Sequence, residues 1–278
     1  MKIAPAPDGA ELLWSEAGDG DPLLLLAGQA TGMAGWGPTA DALARHFRVI
    51  RYDHRGVGGS AKGNPERYTT RLLAADAAAV LDAAGVGSAH VYGHSMGGRI
   101  AQWLAIDHPD RARALVLAAT SGGRRAGAGV DTRTSGTAFE ALLSGDPDLM
   151  APLFFDPAWS REHPDAVRAF FGTPASAWAK ARHFQASRTH DAWDSLGAIQ
   201  APTLILHGTE DALTPLADAV LLHRGIRRST LVKVPGARHG LHLDRPETVT
   251  WIRQFIAAKG APRGEAAGPS GSSAMQPW

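Results

Sequence analysis

The chain has 278 residues, 44% of them apolar, which is enough for one large α/β domain with a substantial core. Its 28 basic and 27 acidic residues leave a formal charge of +1, with no basic block and no acidic tail, which argues against nucleic acid and anionic membrane as partners. The absence of cysteine excludes disulfides, thiol catalysis and Cys-ligated metals, and the lack of a signal-like apolar run at Met1–Pro5 makes a cytoplasmic protein the expectation.

Ala10–Ala17 reads as a short strand closed by the turn Gly18–Asp21. Leu23–Ala27 is a continuous apolar run of the length expected for a strand buried on both faces, and far too short to span a bilayer. A loop over Gly28–Gly37, a helix over Pro38–His46 and a strand over Phe47–Tyr52 follow, the last ending in the Gly-rich turn Asp53–Ser60. Thr69–Ala84 has helical spacing, with Leu72, Leu73, Asp76, Ala79, Val80 and Ala83 on one face. Ala89–Tyr92 is a strand, Gly98–His108 a helix and Ala114–Ala119 another buried strand. This alternation predicts a mostly parallel sheet covered by helices on both faces, with reactive groups gathered at the carboxyl ends of the strands.

The texture changes at Ser121. Ser121–Gly136 is rich in Gly, Thr, Ser and Arg, and from Thr137 to about Leu196 the chain reads as helical and aromatic, with Phe139, Phe154, Phe155, Trp159, Phe170, Phe171, Trp178, Phe184 and Trp193. The expected organisation is a core over 1–121 and 197–259, an inserted helical cap over 122–196, and a disordered tail over 260–278, where Gly, Ala, Ser and Pro dominate. The strand pattern resumes at Ala201–Gly208. A helix around Leu216–Arg224, a strand over Ser229–Val234 and a helix over Pro246–Ala258 complete the core.

Gly93-His94-Ser95-Met96-Gly97 joins the Ala89–Tyr92 strand to the next helix, the context of a nucleophile elbow. A Cβ at position 93 or 97 would crowd so tight a turn, and the turn lifts the Ser95 hydroxyl to a helix N-terminus where free N–H groups face an anion. A serine hydroxyl needs a base, and the base needs a group that fixes its tautomer. Of the twelve histidines, His239 is best placed, just past the last strand and before the last helix. His242 lies further along that loop, His94 is expected to point away from Ser95, His54 belongs to an earlier turn, and His207 ends a strand as a core residue. Asp211, past the end of the Ala201–Gly208 strand, is preferred to Glu210 as the acid. The oxyanion donors are expected from the Met96 N–H and, in the loop after Leu23–Ala27, the Gln29 N–H, with Ala30 as the alternative. Asp53 and Arg55 are read as tying loops together, with Ser60 ending the turn. A phosphate loop is excluded because Gly-Lys-Ser/Thr is missing, and His239-x-x-His242 lacks a third ligand for a metal.

These segments, with Pro202-Thr203-Leu204 through Gly208-x-x-Asp211, Gly236-x-x-His239 and Arg245-Pro246-Glu247, resemble the α/β-hydrolase-fold proteins over roughly residues 10–258. The chain order Ser95, Asp211, His239 is that family's triad order. Through the Phe47–Tyr52 strand with its turn and Gly97–Leu104, the chain is similar to 3-oxoadipate enol-lactone hydrolases and small serine esterases. Where many relatives carry His-Gly after the first buried strand, this chain has Ala27-Gly28-Gln29. The resemblance implies a serine hydrolase that cleaves a small-molecule ester or lactone through an acyl-enzyme on Ser95, with no cofactor. Serine-dependent C–C hydrolases, perhydrolases and a non-catalytic ligand-binding relative stay open at this point, as does the oligomeric state.

Overall fold

The computed structural model describes residues 1–64, 66, 68–123, 140–141 and 144–259. Eight strands form one sheet: β1 (Lys2–Pro5), β2 (Glu11–Ala17), β3 (Pro22–Leu26), β4 (Arg48–Tyr52), β5 (Ala89–His94), β6 (Ala112–Ala118), β7 (Thr203–Gly208) and β8 (Ser229–Val234). Their order is β1-β2-β4-β3-β5-β6-β7-β8. The β1–β2 and β2–β4 pairs are antiparallel and the remaining pairs parallel.

The apolar runs that mark the central strands are buried on both faces. Along β3, Leu24 and Leu26 enter one core while Leu23 and Leu25 enter the other, all four fully buried, as the period of two in a strand requires. Burial of each such side chain is worth about 1.5–3 kcal/mol. The first core packs α2 (Thr70–Ala83), α3 (Met96–Asp107) and α8 (Leu216–Gly225) on the sheet. The second packs α1 (Gly37–Ala44) and α10 (Glu247–Lys259). Thr69 caps α2, its side chain accepting the Leu72 N–H at 3.0 Å.

Between β6 and β7 the described chain contains α4 (Pro147–Phe154), α5 (Pro157–Glu162), α6 (Pro164–Phe171) and α7 (Ala177–Arg188). Asp146, Asp156 and Ser176 cap three of them with side-chain oxygens. Phe154, Phe155 and Phe170 form a small apolar cluster of their own with Leu243. Phe139 and the 260–278 tail lie outside the described residues. β1 is absent from the expectations: only Ala4 of its four residues is buried, too little to show a period. The loop expected over 28–37 contains a 3₁₀ turn at Met33–Trp36, and a helical turn α9 (Leu241–Asp244) precedes α10.

Candidate active site

Ser95 stands between β5 and α3 with φ 54° and ψ −117°, a left-handed backbone costing of order 1–3 kcal/mol for a residue other than glycine. The surroundings over-determine it. The Ser95 N–H donates to Ala118 O at 2.9 Å, and its carbonyl accepts the Thr120 hydroxyl at 2.7 Å. A Cβ on Gly97 would lie 1.9 Å from Leu26 O, and one on Gly93 would lie 2.3 Å from Gly97 O. The same approach lays the elbow against the end of β3, so the loops carrying Met96 and Gln29 are neighbours. Met96 opens α3, where the first N–H groups have no intrahelical acceptor.

The predicted acid and base come together with the serine. His239 Nδ1 lies 2.8 Å from Asp211 Oδ2, and His239 Nε2 lies 2.9 Å from Ser95 Oγ. A carboxylate only accepts, so Nδ1 carries the ring proton and the Nε2 lone pair faces the serine hydroxyl. Asp211 follows β7 and is buried. Its Oδ1 accepts the Leu213 and Thr214 N–H groups at 2.9 and 2.8 Å, which leaves Oδ2 for the imidazole. Glu210 is exposed.

The histidine loop is held from outside the sheet. The last carbonyls of α4 accept its backbone, His239 N–H to Leu153 O at 3.3 Å and Gly240 N–H to Phe154 O at 2.6 Å. The Phe154 ring stands edge-on to His239 at 5.1 Å. His94 is not idle: its Nε2–H donates to His239 O at 2.8 Å, and its ring lies 4.1 Å from that of His242. Burial holds His242 down to about 3, so this ring is neutral near pH 7. His207 is buried as expected, with Nε2–H donating to Thr214 O at 2.7 Å. Among the described residues, no group of three or more His, Asp or Glu stands ready to hold a metal.

The loop after β3 is braced by side chains. His54 Nε2–H donates to Ala27 O at 3.0 Å, the Thr31 hydroxyl donates to Gly28 O at 3.0 Å, and Asp53 Oδ1 accepts the Met33 N–H at 2.8 Å. The last of these is the tie read from Asp53, whose Oδ2 also accepts the Gly59 N–H. Arg55 ties more distant parts, pairing with Asp76 of α2 and with Asp8. Ala30 has φ 55°. Its N–H is donated to His183 Nδ1 on α7 at 3.2 Å, whereas the Gln29 N–H meets no acceptor among the described residues. Of the two donors left open, Ala30 is engaged and Gln29 is free. His183 was invisible in the sequence: it lies 153 residues from Ala30 in a helix without an amphipathic stripe.

A family model described as alpha/beta hydrolase fold matches residues 21–246. The RutD protein of Azorhizobium caulinodans, named for carbamate hydrolysis, is 34% identical over 250 residues, covering 86% of this chain and 91% of its own. Esterase RhEst1 from Rhodococcus sp. superposes with a TM-score of 0.79 at 26% identity over 93% of this chain and 99% of that one. Est816, solved as an N-acyl homoserine lactone degrading enzyme, gives 0.75 at 28% identity over 92% and 100%.

Proposed function

The chain belongs to the α/β-hydrolase fold family, and we propose that within it the protein is a serine hydrolase cleaving a small-molecule carboxylic ester or lactone. The hydrogen-bonded line from Asp211 through His239 to Ser95 carries this reading. Ser95 Oγ attacks the carbonyl carbon while His239 Nε2 takes its proton. Asp211 holds the ring and offsets the imidazolium charge. The Met96 and Gln29 N–H groups receive the oxyanion. The tetrahedral intermediate collapses, the leaving alkoxide takes the proton from His239, and an ester on Ser95 remains. Water, deprotonated by His239, attacks that ester and releases the acid and Ser95. No step requires a cofactor. The segment between β6 and β7 acts as the cap, its Phe154 and Phe170 giving the pocket an apolar roof.

The named chemistry of the RutD relatives favours a second reading, in which the attacked carbonyl is that of a carbamate. The same groups serve, and the acyl-enzyme becomes a carbamoyl ester. Hydrolysis of p-nitrophenyl acetate through octanoate, a five-membered enol-lactone and p-nitrophenyl carbamate separates the two. The proposal expects turnover of esters or lactone, a loss of about 10⁶-fold in Ser95→Ala and about 10⁴-fold in Asp211→Asn, with folding intact. Turnover confined to the carbamate selects the second reading. Activity that survives Ser95→Ala defeats both.

A further inference from the structure

His183 closes a hydrogen-bond circuit that the reaction scheme does not use. Its Nε2 lies 3.0 Å from Arg55 O, a carbonyl that only accepts, so Nε2 carries the proton. Nδ1 of the neutral ring is then an acceptor, and the Ala30 N–H points at it from 3.2 Å. The side chain is fully buried, which suits a ring with both nitrogens satisfied. Its neighbours are His54 at 6.0 Å and Tyr68 at 5.7 Å between ring centres, beside the Arg55 backbone. The bond falls on the one residue of the loop after β3 that is held at positive φ without being a glycine. Nearby, the Thr173 hydroxyl accepts the Gly32 N–H at 3.3 Å and Pro174 O accepts the Gly58 N–H at 2.8 Å. The segment leading into α7 is thus stitched to the same loop and to the 53–60 turn.

We propose that His183 is a positioning residue for the oxyanion site: by accepting the Ala30 N–H it fixes the twist at Ala30 and so the direction of the adjoining Gln29 N–H. The role rests on the acyl-enzyme reading above. Binding of substrate in its ground state does not need this orientation, whereas the anionic tetrahedral stage does. Loss of the brace therefore lowers kcat and leaves KM nearly unchanged.

Two amide substitutions isolate the nitrogen that matters. The side-chain oxygen of His183→Asn comes near the position of Nδ1 and still accepts from Ala30, while the longer amide of His183→Gln reaches the Nε2 position and leaves the Ala30 N–H without a partner. The expected result is a 10–100-fold lower kcat in His183→Gln, KM within about threefold, and most of the loss recovered in His183→Asn. Affinity for a small alkylboronic acid, whose tetrahedral adduct on Ser95 places an oxygen in the oxyanion position, falls in parallel with kcat. A folded His183→Gln with unchanged kcat and boronate affinity overturns the proposal, and so does an Asn variant no better than Gln. If the Gln variant does not fold, ¹⁵N shifts of His183 in the wild-type protein decide, since a ring protonated on Nδ1 cannot accept from Ala30. Wild-type protein that neither turns over an ester nor binds the boronate, or Ser95→Ala that keeps its turnover, defeats the acyl-enzyme reading instead.

Discussion

Ser95 and Ala30 sit on adjoining loops with φ of 54° and 55°, and neither is a glycine. At Ser95 the twist is imposed by what lies next to it in the fold. Two parallel strands fix its N–H, Thr120 fixes its carbonyl, and flanking glycines allow backbones to touch. At Ala30 the twist is held by side chains arriving from far along the chain, with His183 on the residue itself and His54 and Thr173 on either side of it. The same conformation can be written into a local turn or assembled at long range. Only the first kind is open to a reader of sequence, and the second ties the loop after β3 to α7.

The largest effect that would separate the two loops is steric. Gly97→Ala places a methyl on the Leu26 carbonyl, a backbone atom that cannot swing aside. It should cost about 3 kcal/mol or more and lower the melting temperature by roughly 10 °C. A near-normal melting curve would show that the elbow is less rigid than its contacts imply. Acid is the second lever, since backbone braces do not titrate and imidazole braces do. Burial lowers His54 to about 4 and His183 and His242 to about 3, against about 6.5 in the unfolded chain. Below pH 6.5 the unfolded chain takes up protons that these folded rings refuse. Their contribution is therefore complete above that pH and is lost progressively as pH falls toward 4, by up to about 1.4 kcal/mol per unit for each ring. Urea midpoints should fall over that range, and the slope should lessen in His183→Asn. The smallest effect is at Ala30. Ala30→Gly removes the left-handed penalty but loosens the unfolded chain, for a net gain of about 0.5 kcal/mol by denaturant unfolding. A clear loss would mean that the Ala30 methyl is itself part of the brace.

This contrast also explains what could be read in advance. The buried strands announced themselves because four leucines in a row fit little else, and β5 with its elbow carries both a strand pattern and the glycines that a tight turn demands. Asp211 and His239 were legible as residues just past strand ends, where the parallel sheet delivers side chains to one edge. β1 escaped because an edge strand with one buried residue has no periodicity to show. His183 escaped for a different reason. A histidine inside a helix looks the same whether it faces solvent or a carbonyl, and nothing near it in the chain hints at Arg55 O or Ala30 N–H.

The attachment of α7 bears on how such an enzyme can be retuned. Besides its hold on the Ala30 loop, the end of this helix is bolted to the sheet-packing helices: Arg99 of α3 donates to Ser187, and just past α7 His190 lies within hydrogen-bond distance of Thr70 and Gln102. Both ends of the segment between β6 and β7 are therefore tied to the site, α7 through Ala30 and the end of α4 through the backbone of His239 and Gly240. Transplanting a homologous stretch for α5 and α6 alone would leave both of these ties in place. A graft whose seam fell beyond α7 would import a foreign keystone and leave the native arch without one.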